Sequence, residues 1–509
     1  MAVTYDKPSA PPLKVAIAGG GTAGWMAAAA LARFSPRGTR VRLVESDEIG
    51  TVGVGEATIP QIRLFNAGLG IDEDEFVRET QGSFKLGIEF AGWSGEGGRY
   101  IHAFGTIGRG LGLVPFHHYW LHHTQSGGAT AYWDYSAAAL AAKRNAFARD
   151  LGRPELPSGV AWAFHFDAAL YAAYLRRYAE ARGVERIEGM VADVALEGET
   201  GHVTHVILRS GERLAGDFFI DCSGFRGLLI EGALKAGYDD WRDLLPCDRA
   251  LAVPSASAGP LTPYTRATAR EAGWQWRIPL QHRTGNGLVY SSAHLSDDEA
   301  ARILLANLDG AALADPRPLR FVTGRRRRAW AGNCVALGLA AGFLEPLEST
   351  SIHLIQSGIA RLLELFPTDP VSPADVEEYN RQTEREWIAI RDFLVLHYHA
   401  NARPEPLWAE RRALAIPGTL RHRIELFRQT GRVVAEEHDL FKEPAWVQVL
   451  LGQGVTPERH HPLADALPPD QLDEFLRLAR AHAAQVAARM PSHDQFIAAH
   501  CAAPRKAAA

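Results

Sequence analysis

The chain has 509 residues, 47% of them hydrophobic and 22% charged, the composition of a globular protein too long for one core, so two or three domains are expected. A formal net charge of −5 supplies no field that would draw nucleic acid or an anionic membrane surface, and no apolar run reaches the ~18 residues a bilayer span needs. Four cysteines without a CxxC pair argue against a disulfide framework, a zinc site or a dithiol relay; no metal site is expected, and with a polar, proline-rich start lacking an apolar leader the default location is the cytoplasm.

The pattern opens as strand–turn–helix–strand. Val15–Ala18 reads as a short buried strand, Thr22–Phe34 as an alanine-rich helix and Val41–Val44 as a second strand. Between the first strand and the helix, Gly19-Gly20-Gly21-Thr22-Ala23-Gly24 fits GxGxxG through Gly19, Gly21 and Gly24, and Glu45 closes the next strand about 20 residues on. In that setting Gly19 allows the tight turn and Gly21 lets backbone approach a pyrophosphate, while Gly24 permits close helix–strand packing. The amides of Thr22 and Ala23 at the helix start favour phosphate charge, and Glu45 can accept from a ribose hydroxyl. This is a dinucleotide site, and the fingerprint alone does not choose between FAD and NAD.

Farther along, Phe164–Arg182 reads as a helix, and Gly189–Leu196, His202–Arg209 and Arg213–Ile220 as strands. Gly273–Leu280 (GWQWRIPL) carries two tryptophans two residues apart, which in an extended segment share one face. The basic run Arg325–Arg328 is expected to be a solvated or phosphate-facing turn. Val335–Leu339 reads as a buried strand and Glu348–Leu365 as a helix; Ala374–Ala400, Gly418–Gln429 and Pro469–Arg489 are helical patterns. The fold class is therefore α/β: a Rossmann-like core built from discontinuous pieces, a sheet-rich middle and a helical C-terminal part.

Several segments fall into one ordered series: GVGEATIP at 53–60, FKLGI at 84–88, DCSGFRG at 221–227, GWQWRIP at 273–279, NCVALG at 333–338 and EPLEST at 345–350. Together with the N-terminal glycines they resemble the flavin-dependent tryptophan halogenases, from about residue 14 to residue 360. The resemblance implies FAD as cofactor, reduced by a separate NAD(P)H-dependent flavin reductase, and a halide ion as co-substrate. It implies that hypohalous acid made at the reduced flavin passes through a tunnel to a lysine, matched by Lys85, beside an aromatic substrate. A catalytic glutamate matches Glu348, expected to pair with Lys85 or to take the proton from the halogenated ring; read without the family, Glu348 is a first-turn helix glutamate facing the dipole. Trp274 and Trp276 match the wall between flavin and substrate. Thr350 and Ser351 match the halide-binding amides, with Ser351 standing where the well-studied members have glycine. Val54, Ala57, Val191 and Ile352 match further FAD contacts, and His102 and Phe104 match aromatics that sandwich the substrate ring.

On this reading residues 12–110, 161–230 and 319–366 form the FAD-binding core, 111–160 and 231–318 belong to the substrate region, and 367–509 form a helical C-terminal substrate region. The family's tyrosine pair for gripping an amino acid has no counterpart in 441–467, where Trp446 supplies one aromatic face. An indole or other electron-rich aromatic is therefore the expected substrate rather than free tryptophan, and the resemblance also admits a homodimer. The competing readings are a flavin-dependent aromatic hydroxylase (a monooxygenase), which would have to bring substrate to the flavin across the tryptophan pair, and a non-catalytic flavin-binding module. Because a second GxGxxG in a strand–turn–helix setting is absent, the purified protein with FAD should not oxidise NADH or NADPH unless a flavin reductase is added. Rapid loss of NADH absorbance without the reductase would contradict this.

Overall fold

The computed structural model describes residues 13–49, 55–149, 151 and 157–504. A six-stranded sheet organises the first half of the fold, in the order Trp330–Ala331, Cys334–Ala336, Phe218–Asp221, Lys14–Ala18, Arg40–Glu45, Glu185–Glu188. All its pairings are parallel except that of Trp330–Ala331 with Cys334–Ala336. Parallel strands must be covered on both faces, and the Lys14–Ala18 strand is buried from Val15 onward. The Thr22–Phe34 helix lies against this sheet, and its small residues Ala27–Ala30 are all buried.

A second, seven-stranded sheet runs Arg317–Arg320, Arg249–Ser255, Thr284–Tyr290, Gly273–Pro279, Thr265–Arg270, Gly87–Ala91, Arg99–Ala103. The tryptophan strand, Gly273–Pro279, lies at its centre and is buried throughout. Trp276 stands opposite Gly287. A Cβ on Gly287 would come 2.0 Å from the Trp276 ring, so glycine there is what lets the indole lie across the neighbouring strand. A small antiparallel sheet, Gly55–Ala57, Ala163–Asp167, Ser83–Lys85, joins the two large ones. The chain leaves it at Lys85 and enters the seven-stranded sheet at Gly87. The C-terminal part is helical, led by Pro373–His399, Glu443–Gly452 and Pro469–Ala488.

Four expectations need correction. Phe164–Asp167 is strand, not helix. The helix begins only at Ala168, because the Asp167 side chain accepts from the amides of Ala169 and Leu170 and caps it. The stretch Arg213–Ile220 divides into Arg213–Ala215 and Phe218–Asp221, which belong to different sheets. Of Val335–Leu339, strand geometry covers Cys334–Ala336 and a 3₁₀ turn follows at Gly338–Ala340. Lastly, Arg325 and Arg326 are not solvated: both are buried, Arg325 paired with Asp239 and Glu384 and Arg326 with Glu231. Buried guanidinium groups need such partners, and partners so distant in sequence cannot be read from the basic run itself.

Candidate active site

A cavity of about 470 Å³ opens at the C-terminal end of the Lys14–Ala18 strand and is lined by Gly19–Ala23, Glu45, Ala57, Val191, Trp276, Ser349, Ser351 and Ile352. Its glycines do distinct work. Gly19 has φ +112°, and a Cβ there would lie 2.3 Å from the Cys222 carbonyl oxygen; a Cβ on Gly24 would lie 1.9 Å from the Gly19 oxygen. At Gly21 an added Cβ would meet nothing within 4 Å, so the backbone faces open space. That is the surface a pyrophosphate needs for close approach, and the cavity suits a flavin dinucleotide. Glu45 lines it while accepting from Trp25 Nε1 at 3.2 Å and pairing with Arg186 at 2.6 Å. Val54 lies outside the described residues.

Lys85, Glu348, His102 and Phe104 do not line this cavity; they lie behind its wall. Lys85 is wholly buried, and its Nζ donates to the Thr58 carbonyl at 2.9 Å and to Ser349 Oγ at 2.7 Å. Nζ also sits 5.2 Å from the Phe104 ring centre. Loss of hydration on burial pulls the amine down to about 7, against the charge of Glu348, which pushes it up. Ser349 is thus the link between compartments: it lines the flavin-side cavity and touches the lysine beyond.

The local chain path explains this. Pro346–Glu348 is a 3₁₀ turn, Ser349 is left-handed (φ 58°, ψ 39°), and the helix starts only at Ser351. Glu348 is therefore not a first-turn helix residue. Nor does it pair directly with Lys85: its Oε2 lies 2.8 Å from His102 Nδ1, and its Oε1 lies 2.9 Å from His397 Nε2. The His397 contact has ion-pair distance but is off the hydrogen-bonding direction, so His102 is the stronger partner. Burial alone would raise the Glu348 carboxyl; the His102 charge and hydrogen bond, with His397 close by, outweigh it and hold the group below the usual carboxylate range. The left-handed residue makes this division possible, by sending Glu348 toward the histidines and Ser349 toward the lysine.

The first intrahelical hydrogen bond after the turn runs from Leu354 N to the Thr350 carbonyl at 2.9 Å. The amides of Thr350 and Ser351 precede it, in the part of a helix that has donors to spare for an anion; Ser351 lines the cavity whereas Thr350 is buried behind it. Trp276 lines the cavity too, with the Trp274 ring 6.2 Å away on the same strand. Trp274 Nε1 donates to Glu345 Oε2 at 2.8 Å, and Tyr398 donates to the same oxygen at 2.6 Å. His102 and Phe104 meet edge to face, centroids 6.3 Å apart, rather than as parallel plates. A ring held between them would stack on one and meet the edge of the other. Trp446 is buried against Phe393, its Nε1 donating to the Phe441 carbonyl at 3.1 Å.

Ser349, Glu345, His397 and Gln448 were not singled out from the sequence. Ser349 and Glu345 sat inside the EPLEST motif, whereas nothing local marked His397 on its long helix. Gln448 accepts from the Ala103 amide and donates to its carbonyl, at 2.8 and 3.1 Å, and so fixes the strand between His102 and Phe104. Glu56, also on the cavity wall, has its carboxyl pushed up to about 7 by burial.

The tryptophan halogenase family profile matches residues 14–469. The chain is 35% identical to a tryptophan 6-halogenase of Streptomyces toxytricini over 520 residues, covering 96% of this chain and 98% of the relative. It is 33% identical to a tryptophan 7-halogenase of Lentzea aerocolonigenes over 527 residues, covering 95% and 98%. The structure is similar to a flavin-dependent halogenase from Xanthomonas campestris, with a TM-score of 0.94 at 48% identity over 98% of this chain and 100% of that one. A flavin-dependent halogenase from Brevundimonas sp. BAL3 gives 0.92 at 46% identity over 96% and 100%. The fold is thus that of a flavin-dependent enzyme, and the chain belongs to the tryptophan halogenase family. It is a flavin-dependent halogenase, and the hydroxylase alternative finds no comparable support. Among the described residues no helix is long and apolar enough to cross a membrane.

Because Lys85 carries a lowered amine, the unfolded chain binds its proton more tightly than the folded one. Stability from this group is therefore lowest below about pH 7 and is recovered as pH rises from 7 toward 10.5. Lys85→Met, free of this penalty, should gain most over the parent at pH 6–7, and the gap should narrow toward pH 10. Denaturant melts of both proteins across that range check it; a gap that widens with pH would mean the buried amine is not depressed.

Proposed function

We propose that this enzyme halogenates an indole or similar electron-rich aromatic at a site beside Lys85, using FAD reduced by a separate reductase, oxygen and a chloride or bromide ion. The observation that carries this reading is the wall. Lys85 does not line the cavity yet is linked to it through Ser349, and Trp276 stands on the cavity side. Bound reduced FAD would activate oxygen, and oxygen would supply the oxidising equivalent that turns halide into hypohalous acid. Everything else is work for the chain. The fingerprint glycines and Glu45 hold the dinucleotide, with Ala57, Val191 and Ile352 along it. The amides of Thr350 and Ser351 hold the halide, and Trp276, backed by Trp274, keeps the aromatic substrate away.

With two of the Lys85 Nζ positions tied to Thr58 and Ser349, one tetrahedral position remains to meet hypohalous acid. An amine lowered to about 7 is substantially unprotonated near neutrality and so able to react as a nucleophile. It can hydrogen-bond the acid, or attack its halogen to give a haloamine and water; attack by the aromatic ring then breaks the nitrogen–halogen bond, and the proton the ring loses balances the one the nitrogen regains to restore the free amine. Glu348, kept ionised by its histidines, is the base for that proton. His102, Phe104 and Trp446 supply aromatic surface for the ring. We assign the reaction to the cytoplasm, a reading that the four free cysteines support.

Lys85→Ala should abolish halogenated product while the protein still binds FAD, and Glu348→Gln should lower the rate on the order of 10²-fold. Product mass spectra with a reductase present check both; substantial halogenation by folded Lys85→Ala removes the lysine from the mechanism. In equimolar competition indole should be halogenated faster than free tryptophan, because burying an unpaired ammonium and carboxylate costs free energy, and bromide should outpace chloride, because Ser351 alters the anion pocket. Clear preference for tryptophan with one benzo-ring product would reveal a polar grip on the amino acid.

A further inference from the structure

The Phe116–Gln125 helix carries four histidines, and the loop before the Pro462–Ala466 turn adds two more. Most of these rings have protein partners. His117 meets the Gly431 carbonyl and Glu443, and His118 Nδ1 accepts from the His461 amide. His461 accepts from the Leu463 amide, and His123 pairs with Asp473. His122 is different. Its Nδ1 is buried with no hydrogen-bond partner among the described residues, and its Nε2 stands 3.8 Å from Asp465 Oδ1, too far for a hydrogen bond. The His460 ring stacks on it, centroids 4.5 Å apart and planes at 17°. The ligand atoms of His122, His460 and Asp465 all lie within 4.8 Å of one another.

His460 is oriented as a ligand would be. Its Nδ1 lies 2.7 Å from Gln125 Oε1, and Gln125 Nε2 donates to the Pro457 carbonyl at 3.2 Å, which fixes the end of the amide that faces the ring. Nδ1–H therefore donates to Gln125, and Nε2 points at Asp465 Oδ1, 2.7 Å away. A histidine whose second nitrogen is held in this way presents its other lone pair to a metal. Ligand atoms around tetrahedral zinc sit about 3.3 Å apart, given bonds near 2.0 Å. The 2.7 and 3.8 Å spacings here straddle that value, so small side-chain rotations suffice.

We propose that His122, His460 and Asp465 bind one divalent transition-metal ion of the zinc type, with water completing the coordination. Two imidazoles and one carboxylate suit zinc better than magnesium or calcium. The His122 and His460 side chains are 18% exposed and that of Asp465 60%, so an ion can enter from solvent. The site would clamp the Phe116–Gln125 helix to a segment 335 residues away in sequence, next to the C-terminal helices that close the aromatic side of the active site. Neither the halogenation chemistry nor the flavin enters this inference.

The test uses tag-free full-length protein stripped with a chelator and titrated with Zn²⁺ or Co²⁺. One ion should bind per chain, zinc should raise Tm by roughly 2–4 °C, and cobalt should develop visible absorption from imidazole ligation. His460→Gln and Asp465→Asn should each weaken binding at least tenfold, and His123→Ala should leave it unchanged. Asp465 is exposed enough that its variant keeps the fold and decides the matter even if His460→Gln misfolds. No stoichiometric binding, binding that survives Asp465→Asn, or equal loss in His123→Ala overturns the proposal.

Discussion

The active site is organised around an ammonium group that the fold removes from water. Lys85 has no exposed surface, and an isolated charge in such a place is so costly that the group sheds its proton unless partners hold it. Here the partners are few: one carbonyl, one hydroxyl and a carboxylate at one remove. They are enough to keep the amine in place and too few to hold its proton as tightly as water does. The carboxylate itself needs support, which His102 and His397 provide from opposite parts of the chain, His397 anchored in turn to the Phe393 carbonyl. A lysine that gives up its proton readily and a glutamate that stays ionised follow from this unequal sharing of partners.

Separating the two compartments rests on a short irregular stretch. Left-handed backbone at a residue with a Cβ costs about 1–2 kcal/mol, and Ser349 adopts it between a 3₁₀ turn and a helix. The packing around it holds it there. Glu345, at the other end of the turn, ties Trp274 on the seven-stranded sheet to Tyr398 on the long C-terminal helix. The turn, the tryptophan strand and the helix are thereby one rigid unit. Moving any of them would open the wall or withdraw Ser349 from the lysine.

The aromatic side is assembled from the chain's far end. Gln448 joins the Arg99–Ala103 strand to the Glu443–Gly452 helix through both backbone groups of Ala103, and Gln453 accepts from Tyr100 while donating to the His397 carbonyl. Two buried amide side chains thus set the spacing between the Arg99–Ala103 strand, which carries His102, and the helix whose His397 faces Glu348. Buried amides stay where all their groups find partners, so this part of the site is positioned by satisfied polar contacts rather than by apolar packing alone.

The sequence by itself determined what depends on local spacing. The glycine fingerprint, the helix at Thr22–Phe34 and the paired tryptophans on one strand follow from periodicity and from the room that glycine leaves. The ordered motifs carried the family, and with it Lys85 and Glu348. Tertiary structure alone decided the partners. That Glu348 faces histidines rather than the lysine depends on one left-handed residue. That Arg325 and Arg326 are internal depends on carboxylates from other elements, and His122, His460 and Asp465 meet only because two remote segments pack together. Electrostatic environment arises from burial and from neighbours distant along the chain, and a local pattern of residues contains neither.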